Sequence, residues 1–234
     1  MSGIAAIAFD KDGTLFDFGA TWNAWTAGVI DDLAGGDMTR RAALAREVGY
    51  DLEARAFHPD SPVIAGTNRE AAECLGRALP GRAVDEIETY LTASACTAPL
   101  QQAVPLSPFL AGLAARGLRL GVVTNDSETG ARAHLGAVDV TGHFDFIAGF
   151  DSGHGMKPGP GPLLAFAENM GLAPDRVVMV GDSTHDLVAG RRAGMICVGV
   201  LTGMAKRETL APLADAVLPD IGHLPAWLDS LADR

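Results

Sequence analysis

Phe9-Asp10-Lys11-Asp12-Gly13-Thr14-Leu15-Phe16-Asp17 follows directly on a short apolar run, Ile4 to Phe9. That run reads as a buried strand. Two carboxylates, two residues apart, leave its end, and Gly13 and Thr14 turn the chain. Asp10 and Asp12 would then stand at the carboxyl end of a strand, where open α/β sheets bind their ligands. Carboxylates this close repel each other and usually need a cation or a shared proton. A hard cation such as Mg²⁺ prefers one or two carboxylates plus the phosphate oxygens of a substrate. Taken alone, the stretch reads first as a solvated turn after a strand, and the rest of the chain decides.

The chain has 234 residues, 48% of them hydrophobic, enough for a sizeable core in one large domain or one and a half. Its net charge of −11 argues against a nucleic-acid partner, whose footprint needs clustered Lys and Arg. A small anionic substrate stays open, because the field inside a cleft can oppose the global charge. Lysine is scarce: Lys11, Lys157 and Lys206. Cys74, Cys96 and Cys197 are far apart and in no Cys-x-x-Cys pattern, which points to thiols in a reducing compartment. Met1 to Phe9 has no basic start, and its apolar run is too short for a signal peptide. No stretch approaches the ~18 apolar residues of a membrane span. The expectation is a soluble cytoplasmic protein with no membrane partner; oligomeric state is not legible.

From about Phe18 to Cys96 the spacing is helical, with no strand expected. Trp22, Trp25, Val29, Ile30 and Leu33 fall on one helical face, stopped by Gly35-Gly36. Asp37 or Thr39 caps a second helix through Val48, and a third, short one is expected from Asp51 to Phe57. His58 to Pro62 is a loop. Asn68 caps a helix to Leu79, and another spans Val84 to Cys96. Beyond Pro99, strands and helices alternate. Ser107-Pro108 starts a helix closed by Gly117. Leu118–Val123 is a strand, Ser127 or Thr129 starts a helix ending near Gly136, and Phe144–Ala148 is a strand. Pro160 or Pro162 opens a helix closed at Gly171. Val177–Val180 is a strand, Thr184–Ala193 a helix, Ile196–Leu201 a strand, Ala216–Leu218 a short edge strand and Ile221–Leu231 a final helix. This alternation implies parallel strands with crossover helices. The expected fold is therefore α/β: a doubly wound parallel sheet from residues 1–16 and 103–234. Residues 17–102 form an all-helical insert over the strand ends, placed as a lid would be.

Three further stretches fall where such a sheet delivers side chains. Thr124-Asn125-Asp126 ends the Leu118–Val123 strand, where a hydroxyl and turn N–H groups can bind phosphate oxygens. Taken alone, it reads first as a turn capping the next helix. Lys157, between Gly155-Met156 and Pro158-Gly159, suits neutralising a phosphate or a carboxylate, and reads equally as a surface loop lysine. Gly181-Asp182-Ser183-Thr184-His185-Asp186 ends the Val177–Val180 strand; one helical turn sets Asp186 on the side of Asp182, and Asp186 also suits simple capping.

Asp10-x-Asp12-Gly13-Thr14-Leu15, Thr124-Asn125, Lys157-Pro158 and Gly181-Asp182-Ser183-x-x-Asp186 resemble, in order and spacing, the four motifs of the haloacid dehalogenase-like (HAD) hydrolases. The insert resembles the helical cap of their phosphoglycolate-phosphatase-like branch. The resemblance covers the whole chain and implies a phosphatase acting on a small phosphorylated metabolite, with phosphoglycolate the default. It implies Asp10 as the nucleophile, forming an aspartyl-phosphate. Asp12 would protonate the leaving oxygen and then deprotonate water. Mg²⁺ would be held by Asp10, the backbone carbonyl of Asp12, and Asp182, with Asp186 a further ligand or an orienter. Thr124, Lys157 and the backbone of Asn125 would bind the phosphoryl oxygens.

Lys11 departs from the pattern, standing where the family usually has an apolar residue. It could extend toward the cleft or snorkel outward, and the outward course is the expectation. Gly159 and Gly161 loosen the loop after Lys157. Trp22, Trp25 and Phe57 are expected in the core of the insert, and His185 in surface capping. Arg69, at a helix start in the insert, is the candidate for reading a second anionic or polar group of the substrate. Asp12 speaks against a dehalogenase, which needs no acid/base there, and the absence of lysine from the insert speaks against a phosphonatase. A sugar-phosphate mutase would keep both aspartates. A non-catalytic phosphometabolite binder is disfavoured because Asp10 and Lys157 are both present.

Overall fold

A computed structural model of the chain describes residues 3–232. The first strand, β1 (Ala6–Phe9), is fully buried and alternates in period two. Ile7 and Phe9 enter one apolar cluster, Ala6 and Ala8 the opposite one. Four helices and two short strands then leave the sheet: α1 (Phe18–Ala34), α2 (Met38–Glu47), a two-stranded hairpin of β2 (Tyr50–Asp51) and β3 (Ala56–Phe57), α3 (Asn68–Gly76) and α4 (Val84–Ala95). The chain returns through α5 (Leu106–Ala115), β4 (Arg119–Val123), α6 (Glu128–Ala137), β5 (Phe146–Ala148), α7 (Gly161–Asn169), β6 (Val177–Gly181), α8 (Thr184–Ala193), β7 (Ile196–Val200), α9 (Arg207–Leu210), β8 (Ala216–Leu218) and α10 (Leu224–Ala232).

The sheet is six-stranded and parallel, in the order β5-β4-β1-β6-β7-β8. β1 therefore lies in the middle, and the crossovers reverse direction around it. One face packs on α5, α6 and α10 through Leu110, Leu135 and Leu224, the other on α7 and α8 through Leu163, Phe166 and Ala189. Residues 18–98 bury an apolar cluster of their own, with Trp22, Ile30, Leu44, Phe57, Leu75 and Leu91 among its members. No described helix is long and apolar enough to cross a membrane.

The local signals place most helix ends. Asp17 caps α1 by accepting from Ala20 N at 2.8 Å, and Gly35 ends it with φ of 59°. Asp37 caps α2, as its position suggests. Four expectations fail locally. The third helix at Asp51–Phe57 is instead the β2–β3 hairpin: Asp51 accepts from Glu53 N and Ala54 N, and Arg55 takes a left-handed φ of 52°, so the chain turns back. Thr67, not Asn68, caps α3, in a capping box with Glu70. The helix expected from Ser107-Pro108 begins earlier, at Leu106, whose N–H is taken by Gln102 Oε1 at 2.8 Å. The last helix is preceded by a 3₁₀ turn at Ile221–His223, so it starts at Leu224.

Candidate active site

Register brings the catalytic candidates to one level. Phe9 lies opposite both Val122 and Val180, and Asp10 N continues the ladder by donating to Val180 O at 2.8 Å. Asp10, Thr124 and Asp182 thus leave three adjacent strands side by side. Asp186 joins them from the first turn of α8, and Lys157 from the loop before α7. All five line one cleft together with Asp12 and Asn125, so seven of the eight candidate residues converge. Ile64, Ala65 and Gly66, from the loop before α3, close its other side.

Lys157 is almost fully buried, and its three N–H donors are all used. They reach Asp10 Oδ1 and Asp186 Oδ1 at 2.6 Å each and the Val123 carbonyl at 2.8 Å. Burial alone would depress the ammonium's pKa; the charges of Asp10 and Asp186 outweigh it and raise it. Asp186 does double duty, since its other oxygen accepts from Ser183 N and Ser183 Oγ in the capping box of α8. Carboxylate oxygens of Asp10, Asp182 and Asp186 lie within 4.8 Å of one another. Burial, then the carboxylates of Asp186 and Asp12, push Asp10 up to about 7 against the pull of Lys157. Burial, then Asp186 and Asp10, raise Asp182 well above the carboxylate range. Fully ionised, three carboxylates against one ammonium leave an excess of two negative charges. That donor set, all hard oxygen, fits one divalent cation. Gly13 makes the approach possible: its φ is +81°, and a Cβ there would come within 2.5 Å of the Asp182 carboxylate. The Asp12 carboxylate is not in this cluster, so Asp12 can serve a cation only through its backbone.

The Asp12 carboxylate is held elsewhere, by the residue expected to point outward. Lys11 is 0% exposed. Its ammonium contacts Asp12 at 2.7 Å, His134 Nδ1 at 2.9 Å and Asp126 at 3.2 Å, and lies 5.3 Å from the ring centre of Trp22. Outward snorkelling fails because this side of β1 is roofed by α1 and α6, which supply the ring and the imidazole. Burial acts to lower the pKa of Lys11, but Asp12 and Asp126 reverse it and hold it raised. His134 was marked by no motif; only its place in the helix after β4 hints at it.

Asn125 serves as a brace. Its side-chain oxygen accepts from Lys157 N at 2.9 Å, and its Nδ2 donates to Lys157 O at 2.9 Å and Ala65 O at 3.0 Å. Thr124 is buried, with Oγ1 accepting from Asp126 N at 3.1 Å. Arg69 does not reach the cleft: its exposed guanidinium is engaged by Glu73, Asp85 and Glu88 on the outside of α3 and α4. His185 lines the cleft, while Ser183 is the cap of α8. Trp22, Trp25 and Phe57 pack with the helical cluster as expected, and they also line a second cavity. That cavity shares Asp12, Ile64, Gly66, Asn125 and Asp126 with the cleft.

The family model for haloacid dehalogenase-like hydrolases matches residues 4–194. A phosphoglycolate phosphatase of Rhodospirillum rubrum is 33% identical over 228 residues, covering 95% of this chain and 90% of that protein. The phosphoglycolate phosphatase of Escherichia coli (strain K12) is 38% identical over 112 residues, 48% of this chain and 43% of that protein. Among solved structures, a haloacid dehalogenase-like hydrolase from Bacteroides fragilis superposes with a TM-score of 0.71 at 20% identity, covering 94% of this chain and 99% of that one, a likeness of fold. The strand-end aspartates, the buried lysine and these matches agree: the chain is an enzyme of the haloacid dehalogenase-like hydrolase family.

Proposed function

We propose that this enzyme is a Mg²⁺-dependent phosphatase that hydrolyses a small phosphorylated metabolite through an aspartyl-phosphate on Asp10. The observation that carries the reading is the Lys157 ammonium held between Asp10 and Asp186 beside Asp182. Phosphate monoesters hydrolyse so slowly in water that enzymes gain up to ~10²¹-fold on them. Most of that gain must come from positioning and preorganised charge. Asp10, Asp182 and Asp186, with the backbone carbonyl of Asp12, would hold Mg²⁺, which would supply positive charge against the repulsion between a carboxylate nucleophile and a phosphate dianion.

The protein's own groups then divide the work. Asp10 attacks phosphorus, and the bond from phosphorus to the ester oxygen breaks. Asp12 gives that oxygen a proton and the alcohol leaves. Water attacks the aspartyl-phosphate, Asp12 takes its proton back, and phosphate departs with Asp10 restored. Lys157 and Thr124 hold the phosphoryl oxygens, and Asn125 holds Lys157. Lys11 is a positioning residue that aims the Asp12 carboxylate. Residues 17–102 act as a cap over a core of residues 1–16 and 103–234; their separate apolar cluster and the Asn125–Ala65 hydrogen bond support this. A cytoplasmic setting agrees with the free thiols of Cys74, Cys96 and Cys197.

The test is phosphate release from a panel of small phosphomonoesters, phosphoglycolate included, with and without Mg²⁺. Mg²⁺-dependent turnover that Asp10→Asn abolishes is expected. Transfer of the phosphoryl group to a sugar phosphate in place of its release would identify a mutase instead.

A further inference from the structure

The second cavity runs from the cleft into the helical part, and its walls are apolar. Trp22, Trp25, Val29, Phe57, Val63 and Leu75 form much of its lining. Because it shares Asp12, Ile64 and Gly66 with the cleft, it lies where the group attached to a bound phosphate would extend. Neither cavity is lined by a cation from the helical part. Lys157 and His185, the cationic or imidazole side chains among the lining residues, both come from the sheet side. Lys157 sits between Asp10 and Asp186, at the phosphoryl end of the cleft and not in the second cavity. Arg69 is engaged outside. At the junction of the two cavities stand Asp12 and Asp126, and Lys11 offsets only one of them. A carboxylate brought there would meet net negative charge with no partner.

Two donors in this lining complete the picture; the third polar atom there without a hydrogen bond, Asp126 Oδ2, can only accept. Trp25 Nε1 and Thr26 Oγ1 are buried and have no hydrogen-bond partner among the described residues. Buried donors in a native protein are nearly always satisfied, so such a pair marks a place for a ligand acceptor.

We infer that the preferred substrate is a phosphomonoester whose leaving group is uncharged and apolar, a ring or branched chain carrying at most an acceptor, and not a short carboxylate such as glycolate. This rests on the phosphatase reading for its chemistry but not for its binding. The experiment compares kcat/KM for benzyl phosphate, ethyl phosphate and phosphoglycolate on the Mg²⁺-loaded wild type. All three are alkyl esters, so the comparison reports the leaving-group site. Benzyl phosphate is expected to exceed each of the others by about tenfold or more, the scale of apolar-pocket discrimination. Ile64→Arg, at a partly exposed position shared by both cavities, is expected to shift the ratio toward phosphoglycolate. Phosphoglycolate turned over as well as benzyl phosphate by the wild type would overturn the proposal and leave the phosphatase standing. Benzylphosphonate binding, read by quenching of Trp22 and Trp25 fluorescence, separates the two failures. Saturable quenching without turnover of any ester keeps the cavity and rejects the phosphatase; no quenching and no benzyl preference rejects the cavity.

Discussion

His134, 123 residues away in sequence, accepts a hydrogen bond from the buried ammonium of Lys11 at 2.9 Å. The direction follows from the other side of the ring. His134 Nε2 lies 2.7 Å from the Ala95 carbonyl, which can only accept, so Nε2 carries the proton and Nδ1 is the acceptor. Burial, then the Lys11 charge, lower the imidazole's pKa and keep it neutral. Lys11 thus donates to Asp12, pairs with His134 and forms an ion pair with Asp126, and its position fixes that of the Asp12 carboxylate.

Removing that ammonium should cost stability and rate together. Lys11→Met leaves Asp12 and Asp126 uncompensated, and breaking a buried pair costs roughly 3–5 kcal/mol. If Asp12 is the acid/base, kcat should fall about 100-fold, within the range of such groups, while KM changes little. Urea unfolding and steady-state kinetics on the folded variant check both. A loss confined to stability, with kcat unchanged, contradicts the positioning role.

His134 offers a cleaner separation, because one replacement can imitate it. His134→Gln can accept from Lys11 with its oxygen and donate to Ala95 with its nitrogen, and should keep kcat within a few fold. His134→Leu packs similarly but leaves Lys11 one acceptor short, and kcat should fall about tenfold, the low end for supporting residues. Equal rates in the two variants would show that His134 only fills space.

The cation-free protein should lose stability as pH rises. Asp10 is raised from 3.8 to about 7, and Asp182 is raised as well, chiefly by burial. The folded state therefore keeps protons that the unfolded chain has released. This contribution is fully present below the unfolded value near 3.8 and is lost as pH rises through about 7. Thermal unfolding without divalent cations should shift to lower temperature between about pH 5 and about pH 8. Millimolar Mg²⁺ should raise Tm more at the upper end, where it displaces fewer protons. Asp182→Asn should raise the cation-free Tm at neutral pH and abolish the Mg²⁺ effect.

Asn125 joins the lysine loop to the helical part, so its loss should be felt at both. Asn125→Ala removes three hydrogen bonds around Lys157 and Ala65. Unmade buried hydrogen bonds cost about 1–3 kcal/mol each, so kcat/KM should drop about 100-fold. Amide exchange at residues 64–66 should speed up while that of β1 and β6 does not. Uniform acceleration would mean that Asn125 supports the fold as a whole.

The strand-end carboxylates and the lysine were legible because each motif sits on a local signal: an apolar run, then a turn, then a polar residue. Parallel pairing then does the rest, since Phe9, Val122 and Val180 share one level. The hairpin at Tyr50–Phe57 was not legible, because it depends on a left-handed Arg55 that no composition rule marks. The burial of Lys11 was hidden for a different reason. Its partners Asp126 and His134 follow β4 and become neighbours only when β4 pairs with β1. Arg69 misled because a helix start in the insert looks the same whether it faces the cleft or, as here, Asp85 and Glu88.

Trapping the phosphoryl group on Asp10 is the most direct measurement of its role as nucleophile. The Mg²⁺-loaded enzyme would be mixed with acetyl phosphate radiolabelled in the phosphoryl group, quenched in acid within the first turnover, digested and mapped. Label is expected on the peptide containing Asp10, alkali-labile as an acyl phosphate, and none in Asp10→Asn. Turnover with no labelled protein, or label on another residue, would contradict that role.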